Sequence, residues 1–575
     1  MGNGLSDAVR MLDRKRRAMP KPLPGSNRRP ELVVACILDP FSYACFRHEC
    51  QLVPLKAYSW WAQMEEIAPV FLFVESAWSG ADGSWKNELN DKRPGDFSQL
   101  FALLDYCLER GIPTVFWNKE DPPHYTQFIE TAKRFDYIFT TDADCVDKYK
   151  KEAGKEKVYV LPFAAQPALH NPIGSSYRSK LPVAFAGSYY KDRYPERLAD
   201  VPILLEPAMA HGLHIYDRHY GSPNPSYHFP PQYAPCMLPG LAYGEMVLAY
   251  KQYKVFLNVN SAAQSPTMIA RRMFELLASG TNVISTPAEG INRMLPGLVP
   301  IAAAPSETHR HLAYLLQQQE VSERLSLLGV RHVYDYHLYK HRFDVILDKL
   351  GMSTSESEGV TVVAWVRNPV QARYILERYY EQSWLRKELV LLVGREDLLQ
   401  LRESLHLHHS SITIVLLRKE ESFGQGLRYA MTQSRYNYMS LFRENCYYAP
   451  HYLKDLMHAA EFSNASIVGK GAYYSFGGAA SNRGLTLQRE ELQNLYATTL
   501  SDGAWIVAKE LFTRVSPPEE LGVPFQQFLQ RCMRLGVRLY SADKFNYIEG
   551  LRGEGNDWGK MAAAAEAELR KQVTV

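Results

Sequence analysis

The sequence predicts an α/β protein made of doubly wound, Rossmann-like parallel sheets, and three observations carry that expectation. Short apolar runs without polar alternation recur along the chain, as strands buried on both faces do. Amphipathic stretches of helical length separate them, often closed by Gly or Pro. Finally, the stretch Ser265 to Gly280, SPTMIARRMFELLASG, lies between the apolar runs Val255 to Asn260 and Asn282 to Thr286, which is the strand, turn, helix, strand order of half such a domain.

In chain order, residues 1–30 form a basic arm expected to be disordered. Arg10, Arg14, Lys15, Arg16, Arg17, Lys21, Arg28 and Arg29 face only Asp7 and Asp13 there. Residues 31–170 are expected to form a first Rossmann-like domain. Its strands are placed at Leu32 to Leu38, Val70 to Glu75, Thr114 to Trp117, Tyr137 to Thr140 and Val158 to Leu161, with a helix from Phe97 to Arg110 stopped by Gly111 and Pro113. Residues 171–351 form a second such domain, opening with the strand Val183 to Phe185. MSTSESEG, residues 352–359, has no large apolar residue but its methionine and reads as a linker. Residues 360–550 form a third α/β unit, with strands near Val360 to Trp365, Leu389 to Val393, Ile412 to Leu417 and Tyr438 to Phe442. Residues 551–575 read as a C-terminal helix and tail.

Bulk properties bound the function. At 575 residues the chain exceeds one core, and 46% hydrophobic with 22% charged residues is ordinary for a globular protein. A net charge of +3 supplies no field for nucleic acid. No apolar stretch approaches the roughly 20 residues of a membrane span, so a cytoplasmic location is expected. The basic arm offers peripheral contact with anionic lipid. Eight cysteines without CxxC pairing fit reduced thiols. Cys45, His48 and Cys50 have metal-ligand chemistry but no second cluster, so no metal site is expected.

The helix read from Pro266 onward directs its free N–H groups and positive dipole end at a phosphate. Ser265 and Thr267 add hydroxyls, Arg271 and Arg272 add forked donors, and Glu275, one turn beyond Arg271, can accept both hydroxyls of a ribose. Phosphate and sugar are thereby addressed together, which suits a nucleoside diphosphate. The alternative reading is an amphipathic helix whose Met268, Ile269, Met273, Leu276 and Leu277 fill a core. Gly187 and Ser188 turn tightly after a strand, where amides approach a phosphate; Tyr189 follows them. Tyr243 is placed to border a ring, and Asn260 ends the strand feeding the phosphate helix. On the first domain, Asp121 and His124 follow the strand Thr114 to Trp117, with Glu75 behind them. These three are the candidates for proton transfer to or from a bound substrate, or for orienting it.

VAFAGSYY at Val183 to Tyr190 and YKVFLNVNSAAQSPTMIARRMFELLASGTNVIST at Tyr253 to Thr286 resemble the C-terminal part of CgeB-like glycosyltransferases, a group linked to spore-coat maturation. VFLFVESAW, IPTVFWNKEDPPHY and FDYIFTTDAD resemble the N-terminal part of the same group, so the resemblance covers about residues 30 to 350. It implies the GT-B architecture and transfer of a sugar from a UDP-, dTDP- or GDP-sugar without metal or further cofactor, with retention of configuration. The acceptor it implies is a surface or spore-coat glycan or a protein, and the location membrane-associated or spore-associated. In related enzymes two glutamates eight positions apart touch the donor. The second corresponds to Glu275, while Thr267 replaces the first and is assigned to the diphosphate. A sugar-nucleotide epimerase of the same architecture and a non-catalytic glycan-binding or assembly protein are the alternatives.

VVAWVRNP, ESFGQGLRYAMTQSRYNYMSLF, NCYYAPHYLKDLM and IVGKGAYY resemble the family 2 GT-A glycosyltransferases. Where such enzymes carry an Asp-rich, metal-holding turn this chain has Arg443, Glu444, Asn445 and Cys446. Where they carry an acidic base it has Val523, Pro524, Phe525, Gln526 and Gln527. The third unit is therefore expected to be catalytically degenerate and to serve acceptor binding or homo-oligomer formation.

Overall fold

The computed structural model describes residues 2–19, 27–86, 88–89, 97–354, 358–404, 412–476, 484–550, 567 and 570–575. Parts of the basic arm (20–26), of the linker (355–357) and of the C-terminal segment (551–566 and 568–569) lie outside the described residues. The chain forms two compact units. Residues up to 354, apart from Ile173–Ser176, make the first; those four belong with residues 358 onward to the second.

The first unit holds two parallel sheets. One is made by β1 (Arg29–Ile37), β2 (Cys50–Pro54), β3 (Phe71–Glu75), β4 (Thr114–Asn118), β5 (Tyr137–Thr140) and β6 (Val158–Val160), in the order β2-β1-β3-β4-β5-β6. The other is made by β7 (Leu181–Gly187), β8 (Leu213–Asp217), β9 (Met237–Pro239), β10 (Tyr253–Asn258) and β11 (Asn282–Ser285), in the order β11-β10-β7-β8-β9. All neighbours within each sheet run parallel. This is the Rossmann-like α/β class that the uninterrupted apolar runs indicate, since parallel strands alternate with helices along the chain. Every residue of β3 and of β4 is buried. Helix Ser98–Arg110 ends where Gly111 takes the left-handed conformation, φ 65°. β2, β8 and β9 carry too little apolar sequence to stand out.

Each sheet has its own core. Leu72, Val74, Phe116, Ile138, Phe128 and Leu103 are among the buried residues of the first, and Val183, Phe185, Leu204, Ile215, Val255 and Ile284 of the second. Helix Tyr339–Lys349 returns to the first sheet, with Tyr339 against Phe46 and Phe343 against Phe71. A parallel bridge from Leu338 to Ala165 fixes that return. The two sheets therefore share one folded unit.

The arm departs from the expected disorder. Gly2–Ala18 form helix α1. Leu12 is buried, its carbonyl accepts from Gln252 Nε2 at 3.2 Å, and Arg16 is buried and paired with Asp13. A single apolar position one turn from a neutralised arginine is enough to dock a helix that charge counting reads as solvated.

The second unit contains a mixed eight-stranded sheet. β12 (Val360–Val366), β13 (Lys387–Gly394), β14 (Ile412–Leu417) and β15 (Tyr438–Leu441) are parallel, and strand Trp505–Ala508 pairs antiparallel to β15. A smaller four-stranded sheet contains Cys446–Tyr448, Tyr473–Phe476, Leu485–Gln488 and Tyr547–Glu549. Arg443, after β15, donates to Asp502 Oδ1 at 2.9 Å, and Asp502 Oδ2 accepts the Gly522 N–H at 2.7 Å. The Arg443 guanidinium and the Asp502 carboxylate thus neutralise each other beside the turn after β15.

Candidate functional site

A pocket of about 740 Å³ opens at the carboxyl ends of β7, β8 and β10, where parallel strands leave unpaired backbone and loops diverge. Among the residues named from sequence, Gly187, Ser188, Tyr243, Asn260, Arg271 and Arg272 line it. Tyr189, Ser265, Thr267 and Glu275 do not.

The floor is rigid for identifiable reasons. A Cβ on Gly187 would stand 3.0 Å from Phe185 and 3.3 Å from Arg197 Nη2, so glycine permits the close approach there. Arg197 donates to the Val259 carbonyl at 2.9 Å and the Ser188 carbonyl at 3.1 Å. Arg272 donates to the Ala186 carbonyl and, at 3.4 Å, to Tyr250 Oη. Asn260 Nδ2 donates to Ser285 Oγ at 3.0 Å and to the Thr286 carbonyl at 2.8 Å, and its Oδ1 accepts from Asn258 at 2.9 Å. Two arginines thus stand over a strand edge held by its own side chains.

The helix that follows differs from expectation. It spans Arg272–Ala278, seven residues, instead of starting near Pro266. Ser265 Oγ accepts the Met268 N–H at 2.9 Å and donates to Asp142 Oδ1 at 2.7 Å. Thr267 Oγ1 donates to the Thr141 carbonyl at 2.8 Å and accepts the Ala143 N–H at 2.9 Å. These hydroxyls bind the loop after β5, which removes both from the phosphate role and leaves a helix too short for a terminal anion site. Tyr189 packs on Phe229, with centroids 5.1 Å apart, while its neighbour Tyr190 lines the pocket.

Glu275 lies beneath the wall, 2% exposed. Its Oε1 accepts Tyr243 Oη at 2.9 Å and its Oε2 accepts Tyr250 Oη at 3.0 Å; Arg271 Nη1 is 3.5 Å away. Burial pushes its carboxyl up, but Arg271, His170 and the Tyr243 hydroxyl outweigh it and hold the group below its ordinary value. Arg271 lies 3.9 Å from the Phe41 centroid and 4.7 Å from that of Tyr243. Its buried Nη1 faces Glu275, while 27% of its side chain stays exposed where it lines the pocket.

On the first sheet, Asp121 is fully buried. It accepts Asn118 Nδ2 at 2.8 Å and Thr140 Oγ1 at 2.6 Å, and burial pushes it up to about 7. Glu75 is also fully buried, accepting the Asp39 N–H at 2.6 Å and Lys119 Nζ at 3.0 Å; burial raises it against the pull of Lys119. Lys119 reaches Asp39 Oδ2 at 2.6 Å and stands 4.3 Å from the Phe41 ring. The Trp78 N–H donates to Asp39 at 3.3 Å, and His124, half-buried, meets Trp78 edge-on at 5.5 Å. A chain of contacts therefore runs from Arg271 through Phe41, Lys119 and Asp39 to Trp78 and His124, with Asp121 apart from it. Sequence reading missed Asp39, Phe41, Tyr190, Arg197 and Asp217. For Asp39 and Asp217 the available signal was an acid at the carboxyl end of a strand.

Residues 177–348 match a protein family described as glycosyl transferase-like. No curated protein matches the chain. Among solved structures, a mannosyltransferase from Pyrobaculum calidifontis in complex with GDP-Man and Mn2+ is 13% identical over 35% of this chain and 59% of its own, with a TM-score of 0.26. S. aureus TarS in complex with UDP-GlcNAc is 16% identical over 36% of this chain and 62% of its own, with a TM-score of 0.26. The chain thus spans about three fifths of these structures, and likeness at such scores says nothing of donor or acceptor. Over residues 177–348, which contain β7 to β11 and the whole pocket, the chain carries a glycosyl transferase-like region.

Proposed function

We propose that the protein transfers a sugar from a nucleoside diphosphate sugar held in the pocket of the second sheet. The observation that carries this reading is Arg271, held by two rings and Glu275 yet partly exposed, lining the pocket with Arg272 at the carboxyl ends of β7, β8 and β10. In such a transfer the bond from the anomeric carbon to the diphosphate breaks while the acceptor oxygen bonds to that carbon. Negative charge grows on the leaving diphosphate. Arg271 and Arg272 would stabilise it by charge-assisted hydrogen bonds, in place of a metal ion.

Glu275 then acts by holding Arg271 and Tyr243 in place, and Tyr243 borders the nucleoside. On the acceptor side, His124 has the accessible polar ring among the three residues first named, whereas the carboxylates of Asp121 and Glu75 are enclosed. The motifs that resemble CgeB-like enzymes support retention of configuration and a surface or spore-coat glycan or protein as acceptor. The basic α1 supports contact with an anionic membrane surface. The Arg443–Asp502 pair supports a non-catalytic third unit serving acceptor binding or self-association.

The test is incubation of the full chain with radiolabelled UDP-, GDP-, dTDP- and CDP-sugars, with and without EDTA. Release of free sugar or its transfer to a glycan, insensitive to EDTA and reduced at least tenfold in Arg271→Ala and Arg272→Ala, is expected. Conversion of the donor to an isomeric nucleotide sugar without release would establish the epimerase instead. No turnover of any donor would sink both.

A further inference from the structure

Asp217 is the last residue of β8, paired in register with Gly187 on β7 and Pro239 on β9. It lines the same pocket, and the residue is only 4% exposed. Its Oδ1 accepts the His219 N–H at 2.9 Å. Beside it, a Cβ on Gly240 would fall 2.8 Å from the Asp217 carbonyl oxygen, so glycine there lets the backbone after β9 pack against the end of β8. Tyr190 and Tyr220 line the same end; Tyr190 is braced edge-on by His219 and Tyr227, at 6.1 and 5.7 Å. Arg272, which lines the same pocket, bonds the carbonyl of Ala186 on the adjacent strand.

Resting on the donor reading above, we propose that Asp217 selects the donor's base and that the base is guanine. An ionised carboxylate only accepts hydrogen bonds. Guanine presents two adjacent donors, N1–H and the N2 amino group, that match both oxygens of a carboxylate. Uracil and thymine present one N–H flanked by two carbonyl oxygens, and cytosine and adenine set an amino group beside an acceptor nitrogen. Each of these would press an acceptor against a buried carboxylate oxygen and leave both unpaired. The aromatic rings supply a face for the base without reading its edge.

Isothermal titration of the full chain at pH 7.5 with GDP, UDP, CDP and ADP tests this. GDP is expected to bind at least about tenfold tighter than the other three, the discrimination of one bidentate pair. Asp217→Asn keeps an oxygen for the His219 N–H but replaces an acceptor with a donor. It should weaken GDP at least about tenfold and strengthen UDP, whose edge sets an acceptor beside its N–H. Equal or tighter binding of UDP by the unaltered protein overturns the inference while leaving the donor reading intact. A preference for GDP that survives in Asp217→Asn removes Asp217 from the role. Binding of none of the four removes the donor reading, and this inference with it.

Discussion

Tyr243 Oη donates to Glu275 Oε1 at 2.9 Å and lies 3.0 Å from His170 Nε2. Because His170 Nδ1 accepts the Gln166 N–H at 2.9 Å, the ring proton sits on Nε2 and the three side chains form one directed relay. The relay turns the Tyr243 hydroxyl away from the pocket and leaves its ring facing Arg271.

Glu275→Ala should destabilise the first unit by about 3 kcal/mol, because it strands Arg271 and two tyrosine hydroxyls in buried positions. Glu275→Gln, which keeps an acceptor, should cost about half as much. Denaturant melts followed by tryptophan fluorescence give both numbers; an unchanged midpoint in the alanine variant would show that the relay holds nothing.

His170 should make stability fall as the medium is acidified from pH 6.5 towards 4. Burial lowers His170 to about 4, against the opposing pull of Glu275. Between about 4 and the ordinary value of 6.5 the unfolded chain binds the proton that the folded one refuses, so acid favours unfolding by up to roughly 3 kcal/mol. His337, lowered to about 3 by burial and Arg342, adds in the same sense. Asp121, raised to about 7, works the other way, but it is shared by protein and variant and cancels in their difference. His170→Gln should therefore show a shallower loss over this window in melts at half-unit pH steps. Parallel curves would exclude His170 as the titrating group.

Two glycines near the pocket should respond oppositely to alanine. Gly240→Ala forces a Cβ to 2.8 Å from the Asp217 carbonyl oxygen and should weaken nucleoside diphosphate binding about tenfold, by displacing the end of β8. Gly244, in helix Tyr243–Tyr250, has open space around it and should gain up to about 1 kcal/mol on becoming alanine. Calorimetric titration and melting of the pair check this, and equal responses would contradict the described wall.

Leu12→Asp should release α1 without unfolding the sheets, since this leucine is 1% exposed and a charge placed there must lose its hydration. Limited trypsinolysis should then cut at Arg14 and Arg17 much faster than in the unaltered protein, leaving a truncated chain of unchanged melting temperature. Identical cleavage rates would mean that Leu12 does not anchor the helix.

The alternation of β3, β4, β5, β7 and β10 with helices was legible because parallel strands buried on both faces must be apolar throughout. The short edge strand β9 was not, since three residues, of which only Leu238 is buried, bear no period. Arg271, Arg272, Gly187 and Tyr243 were legible as pocket residues because their positions after strands place them at one sheet edge. Ser265, Thr267 and Asp121 looked equally suitable. Their polar atoms were taken by Asp142, Thr141 and Thr140, partners that sequence does not put beside them.

By itself the sequence determined the class of fold, the two parallel sheets and the strand edge at which a ligand would sit, because burial and backbone topology follow from local pattern. Only the tertiary structure decided which polar groups remain free. A hydroxyl or carboxylate is available to a ligand when no buried neighbour has claimed it, and that depends on contacts between segments distant in sequence, 19 residues apart for Thr140 and Asp121 and 123 for Ser265 and Asp142.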